Sequence, residues 1–265
     1  LSVRWMTSVA MDRGGRPTQE DNAVAFSAPD GSIAFGVVAD GLGGHGDGEL
    51  ASSIVVKTAE RFWKALPGRD DNGNGLLRDI IDSANDQIVS LQQTRDTGAR
   101  TTICCALARG NEVDIASVGD SRGYWYSHSE VTRLTRDHSV TEMLLATGAI
   151  SEEGMRTHPD SSRLTQSLGT DEGLKPFTVR RQVLRAGEAI LLCSDGLWQS
   201  LSNLEIADRL ASDTSGGRVA SLVRHAAEVA GAAGDNVSAV LLEPFSESRP
   251  GVLGGLGRML SRLRS

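Results

Sequence analysis

Lysine is nearly absent from this chain: only Lys57, Lys64 and Lys175 interrupt an otherwise all-arginine set of 27 basic residues. The bias reads as codon usage and marks no site. Cysteine is equally scarce, with Cys104 and Cys105 adjacent and Cys193 alone, each inside an apolar run. That pattern excludes a disulfide framework and offers no thiolate metal set, so three buried, reduced thiols are expected. No apolar run approaches the roughly 20 residues needed to cross a bilayer, and no charged-then-apolar leader opens the chain. A cytoplasmic protein without a membrane span is therefore expected. Clustered positive charge is missing too. The last twenty residues hold four arginines against one glutamate, so the rest carries −10 where the whole chain carries −7. Such an acidic body argues against nucleic acid, whose phosphates reward basic patches.

What remains is 265 residues, 39% of them apolar, enough for one large core. About eight short apolar or alternating runs read as strands, among them "SIAFGVVAD", "TTICCALA", "EVDIASVGD", "EAILLCSD" and "NVSAVLLE". Two longer helices follow the first strands. Ala51, Val55, Phe62 and Leu66 share one face of the first, and Leu77, Ile81, Ala84, Ile88 and Leu91 one face of the second. A third helix over "RVASLVRHAAEVA" and a shorter one over "NLEIADRL" precede the last strand. Strands in meanders with helices in pairs predict stacked antiparallel sheets covered by helices, an α+β layered sandwich, rather than an alternating parallel sheet. Residues 136–170 lack strand periodicity and read as a helical insertion. The tail, 244–265, starts with breakers and ends with Leu256, Leu260 and Leu263 on one helical side and Arg258 and Arg262 on another, either a frayed basic terminus or a weakly amphipathic helix.

The chemistry lies in carboxylates. In "GVVADG", "IASVGDS" and "ILLCSDG" an apolar strand runs into Asp40, Asp120 and Asp195, and in "GDNVSAVLL" Asp235 begins a strand. Each Asp-Gly alone is an ordinary turn signal. If pairing brings these strand ends to one rim, however, several like charges meet and require cations. Oxygen-only ligands point to Mg²⁺ or Mn²⁺ rather than zinc or copper. "RPTQEDN" adds Arg16, Glu20 and Asp21, and a planar guanidinium beside metals suits a phosphate. The residues thus predict a metal-assisted phosphoester hydrolase.

Seven motifs in order, "RPTQEDN", "DGLGGHGDGELAS", "TTICCAL" with "SVGDSRGYWY", "LTRDHS", "LTQSLGT", "CSDGLWQSLSNLEI" and "GDNVSAVLLE", resemble the bacterial type 2C Ser/Thr phosphatases of the metal-dependent protein phosphatase family. The resemblance implies a four-layer α-β-β-α sandwich of two mainly antiparallel sheets, a catalytic domain over 1–243 and a flap subdomain at about 136–170. It implies that Asp40 bridges two Mn²⁺ or Mg²⁺ ions, that the Gly41 carbonyl ligates one, and that Asp195 and Asp235 complete the other. Glu20 and Asp21 would act around the metals largely through waters, Arg16 would hold the substrate phosphate, and Asp120 with Asp195 resembles a third metal site. Two metals would supply a hydroxide at neutral pH that attacks phosphorus in line. Where eukaryotic members carry His after Asp-Gly, this chain has Leu42; His45 follows the bacterial pattern and is read as a structural residue of the loop, with a role as general acid left open. His138 and His158 are expected to pack or be solvated, and Trp125 and Trp198 to lie in the core. Expected partners are Ser/Thr phosphoproteins and a cognate bacterial kinase, with the chain a monomer. Three other functions compete: a partner-switching phosphoserine phosphatase, a non-catalytic module that should have lost its acids, and a two-metal nuclease that should have a basic groove.

Overall fold

The computed structural model describes residues 3–43, 46–66, 73–171, 173–174, 178–212 and 217–246. Two five-stranded antiparallel sheets form its centre. One runs in the order β1 (Val3–Asp12), β12 (Val237–Ser246), β11 (Ala189–Cys193), β8 (Arg122–Ser127), β9 (Glu130–Arg133). The other runs β10 (Thr178–Val183), β7 (Glu112–Val118), β6 (Ile103–Arg109), β3 (Ile33–Ala39), β2 (Asn22–Ser27). A short ribbon of β4 (Gly41–Leu42) and β5 (Arg100–Thr101) continues beyond the end of β3.

Side-chain alternation explains why the strands read as continuous apolar runs. In β3, Phe35, Val37 and Ala39 face α1 (Asp47–Ala65) and α2 (Gly73–Arg95), while Ala34 and Val38 face the opposite sheet. In β11, Leu191 and Cys193 pack under α5 (Asp195–Ser200), α6 (Asn203–Ser212) and α7 (Arg218–Ala230), while Ile190 and Leu192 enter the inter-sheet core. The result is the expected α-β-β-α sandwich, with each sheet buried on both faces. All three cysteines are buried and free. Trp198 is buried in the helical layer, and Trp125 is half-buried against the inter-sheet core.

Twelve strands occur among the described residues, against about eight expected. β4 and β5 are too short to show a period, β9 ("EVTR") is a polar edge, and β2 is a half-buried edge along nearly its whole length. The first helix starts at Asp47, with Asp47 and Glu49 favourably placed in its first turn. The six-residue α5 was not anticipated. Within 136–170 lie α3 (Val140–Ala146) and α4 (Glu152–Thr157). Ser139 and Ser151 cap them by accepting from the backbone N–H of Glu142 and Gly154. An isolated antiparallel bridge from Ser139 to Leu164 closes this segment on itself, and it is tied to the sandwich by a second bridge, Thr101 to Leu168, and by Arg156, which donates to the Gln199 and Ser200 carbonyls at 3.1 Å each. Among the described residues no helix is long and apolar enough to cross a membrane. His45 and the tail beyond Ser246 lie outside the described residues.

The sheets approach closely at Gly36 of β3, where an added methyl would stand 2.6 Å from Val240 Cγ1 of β12. Gly36→Ala is expected to cost about 1–3 kcal/mol through overpacking, seen as a lower urea midpoint at unchanged slope. An unchanged midpoint would mean that the sheets have slack there.

Candidate active site

Both sheets deliver carboxylates to one end of the sandwich. β3 and β7 lead into Asp40 and Asp120, β11 leads into Asp195, and Asp235 lies two residues before β12. Together with Arg16, Glu20 and Gly41 they line a single pocket of about 370 Å³, to which the 136–170 segment adds Ser162 and Leu164. The expected site residues are thereby brought together, except that Asp21 is buried away from the pocket lining and His45 lies outside the described residues. Adjacent Glu20 and Asp21 point to different places, Glu20 into the wall and Asp21 into the protein beside Ser194 and Ser238.

Backbone hydrogen bonds hold the loops that carry these acids. The Asp40 N–H donates to Thr102 Oγ1 at 3.0 Å, and its carbonyl accepts from Thr101 Oγ1 at 2.8 Å and from the Thr102 N–H at 2.9 Å. Thr102 Oγ1 also lies 2.7 Å from Ser121 Oγ, joining the Asp40 turn to the residue after Asp120. Asn236 fixes the Arg16 loop: its Oδ1 accepts from the Glu20 N–H at 2.7 Å, and its Nδ2 donates to the carbonyls of Arg13 and Thr18 at 2.8 and 3.0 Å. Gly41 and Gly48 let β4 pass against the first turn of α1, since a Cβ on Gly41 would fall 2.3 Å from the Gly48 carbonyl oxygen and 2.5 Å from that of Glu20. Ser52 of α1 donates to the Glu20 carbonyl at 2.6 Å. Thr101, Thr102, Ser121, Asn236 and Gly48 were all within quoted motifs or beside them, but had been given no role.

The electrostatics of the pocket are those of crowded acids. Burial pushes the Asp21 carboxyl up to about 7, with the Ser194 and Ser238 hydroxyls opposing the rise and Asp195 and Asp235 adding to it. Burial also raises Asp195 to about 6, again with Asp235 contributing. Asp40 and Asp120 stand well above the ordinary carboxylate range, first through burial and then through neighbouring carboxylates, Asp195 foremost. Burial raises Glu20 against the pull of Arg16. Asp40 and Asp195 meet carboxyl to carboxyl, an arrangement that needs a shared proton or a cation. Asp235 has both oxygens engaged, Oδ1 accepting from the Asn236 N–H at 2.8 Å and Oδ2 from Arg16 at 2.6 Å.

This donor set fits hard cations. Among the described residues no three Asp, Glu, His or Cys side chains already form a chelate, but Mg²⁺ keeps several waters and needs only one or two carboxylates. The donors are all oxygen, and Asp21 Oδ2 is buried without a hydrogen-bond partner, a costly state for a group aimed at nothing. Two of the described histidines have their Nδ1 lone pairs taken: His158 Nδ1 accepts from the Asp160 N–H, and His138 Nδ1 from the Gly119 N–H.

A model of the protein phosphatase 2C family matches residues 12–238. The chain belongs to that family. The serine/threonine phosphatase stp of Listeria welshimeri is 34% identical over 239 residues, covering 88% of this chain and 93% of that protein. Among solved structures, the serine/threonine phosphatase Stp1 from Staphylococcus aureus superposes with a TM-score of 0.80 at 29% identity, covering 91% of this chain and 95% of that one. The catalytic domain of the serine/threonine protein phosphatase PstP, solved in complex with 2 manganese ions, gives a TM-score of 0.75 at 27% identity, over 92% of this chain and all of that one. In this phosphatase the two-sheet sandwich carries the pocket at its end.

Because Asp21 and Asp195 sit at about 7 and 6 rather than the ordinary 3.8, the folded phosphatase binds more protons than its unfolded chain across that window. Metal-free stability should therefore fall as pH rises through it. A cation replaces those protons, so Mn²⁺ should raise the Tm above that in EDTA by more at about pH 8 than at about pH 5.5. A metal-induced Tm shift independent of pH would contradict this assignment.

Proposed function

We propose that this pocket hydrolyses phosphoserine and phosphothreonine esters in proteins with two Mn²⁺ or Mg²⁺ ions held by Asp40, the Gly41 carbonyl, Asp195 and Asp235. Asp120, with Asp195, would serve a third. The observation that carries the reading is the convergence of Arg16 and five carboxylates, Glu20, Asp40, Asp120, Asp195 and Asp235, on one pocket. When bound, the cations supply an activated water and neutralise charge on the phosphoryl group. The chain's own residues do the rest. Arg16, whose side chain is 56% exposed at the rim, takes the phosphate oxygens in its fork. Glu20 in the wall and Asp21 beneath it orient water around the cations. Thr101 and Thr102 keep Asp40 aimed while its charge changes partners.

The substrates are phosphoproteins and the opposing enzyme a bacterial Ser/Thr kinase, in keeping with the relatives' names. Ser162 and Leu164 place the 136–170 segment where it touches what enters, so it acts as the flap that selects substrates. The catalytic unit spans 1–243, works as a monomer in the cytoplasm, and takes no nucleic acid. Retention of all the acids speaks against a non-catalytic module.

The purified chain should hydrolyse p-nitrophenyl phosphate and phosphothreonine peptides with Mn²⁺ and stop in EDTA. Asp40→Asn and Asp195→Asn should each lose more than the roughly 10–100-fold that follows from removing an outer metal partner; metal-independent turnover, or near-normal variants, would refute the assignment. Arg16→Ala should raise KM for phosphopeptides roughly 10–100-fold, the equivalent of one charged hydrogen-bonding group, with kcat little changed. A loss confined to kcat would show that Arg16 acts only in the transition state.

A further inference from the structure

The turn that carries Asp120 is gripped from two sides. The Trp198 indole N–H donates to the Asp120 carbonyl at 3.0 Å. His138 holds the preceding residue twice: its backbone N–H donates to the Gly119 carbonyl at 2.8 Å, and its Nδ1 accepts from the Gly119 N–H at 3.2 Å. The acceptor role places the ring proton of a neutral His138 on Nε2.

The two grips are fastened to each other. Arg122, two residues past Asp120, lies over the Trp198 ring with its guanidinium carbon 3.5 Å from the centroid. It donates to Asp137, the neighbour of His138, from Nε at 3.1 Å to both oxygens and from its terminal nitrogen at 2.6 Å to one. The pair is 3% and 0% exposed. Burying such a pair is costly and adds little net stability over an apolar core. What it does here is fix geometry. Trp198 sits one helical turn along α5 from Asp195, so its reach to the Asp120 carbonyl sets the spacing of the two carboxylates.

We propose that the Trp198 indole N–H and the His138 ring are positioning groups that hold Asp120 at a set distance from Asp195, so that the two carboxylates share one divalent cation. The proposal rests on the reading of those two acids as cation ligands. Neither group touches substrate; both act through the backbone of the turn, as outer partners commonly do for metal ligands.

The test is calorimetric titration of Mn²⁺ into metal-free full chain. Trp198→Phe keeps an aromatic ring beneath Arg122 and removes the indole N–H together with part of the ring system. His138→Ala removes the acceptor, and His138→Asn restores one near the Nδ1 position. Trp198→Phe and His138→Ala should weaken the weakest Mn²⁺ step by about 10-fold while leaving the tighter steps in place, and His138→Asn should recover most of the loss. Unchanged Mn²⁺ binding in Trp198→Phe and His138→Ala overturns the proposal, as does a His138→Asn protein as impaired as His138→Ala, since packing alone would then explain the residue. Should Trp198→Phe fail to fold, the His138 pair decides. A wild-type chain that takes up no Mn²⁺ removes the cation reading and the clamp with it; wild-type uptake that the variants leave untouched removes the clamp alone.

Discussion

Mutual repulsion among half-dehydrated carboxylates is the constraint around which this structure is organised. Asp40 and Asp195 meet carboxyl to carboxyl, with Asp21 and Asp120 close enough to raise Asp40 further. Among the described residues no side chain cancels them: Arg16 is ion-paired to Asp235 and acts on Glu20 and Asp195 only through its field, and Arg122 is committed to Asp137. Such an arrangement is stable only with protons or cations in it. The fold tolerates the strain because each carboxylate comes from the end of a strand whose remaining length is buried in the sandwich. Asp40 and Asp120 come from one sheet and Asp195 and Asp235 from the other, so the site spans the mouth where the sheets meet. Local repulsion is opposed by packing that is distant from it.

That design also explains why the loops are held through backbone atoms. A carboxylate that must be free to change partners cannot anchor its own loop. Asp40 is accordingly fixed by three bonds to its peptide groups from Thr101 and Thr102. The Arg16 loop is fixed by one amide side chain, Asn236, which satisfies three main-chain groups at once. The Asp40 carboxylate is thereby spared any part in holding its own loop, and the rigidity of that loop comes from neighbours that carry no charge.

Much of this was legible in the sequence because it rests on strong local signals. Apolar runs ending in aspartate located Asp40, Asp120 and Asp195, and the two long helical periods located α1 and α2 with their buried faces. The layering followed from the order of elements. What escaped was of two kinds. β4, β5 and β9 are too short or too polar to leave a period; β9 forms against the longer β8, and β4 and β5 pair only with each other. Thr101, Thr102 and Asn236 carry no charge, so in a sequence they resemble any polar residue at a strand end; their value lies in which distant main-chain group they meet. The orientation of Glu20 relative to Asp21 belongs here too. Successive residues leave the backbone in different directions, and only the tertiary course of the loop decides which one reaches the pocket.

The rim and the floor of the pocket are held with different firmness, and that difference matches what each has to do. Arg16 and Asp235 form an ion pair with side chains 56% and 38% exposed, a class of interaction worth no more than about 1 kcal/mol. A guanidinium held that lightly can exchange one anion for another, carboxylate for phosphate, at little cost. Asp21 and Asp120, by contrast, are 2% and 3% exposed, and the turns around them are fixed by bonds that solvent cannot reach. A protein phosphatase benefits from a permissive rim and an unyielding floor. Here the permissive element lies on a surface loop and the unyielding ones at the ends of buried strands, so the division follows directly from where the chain puts its core.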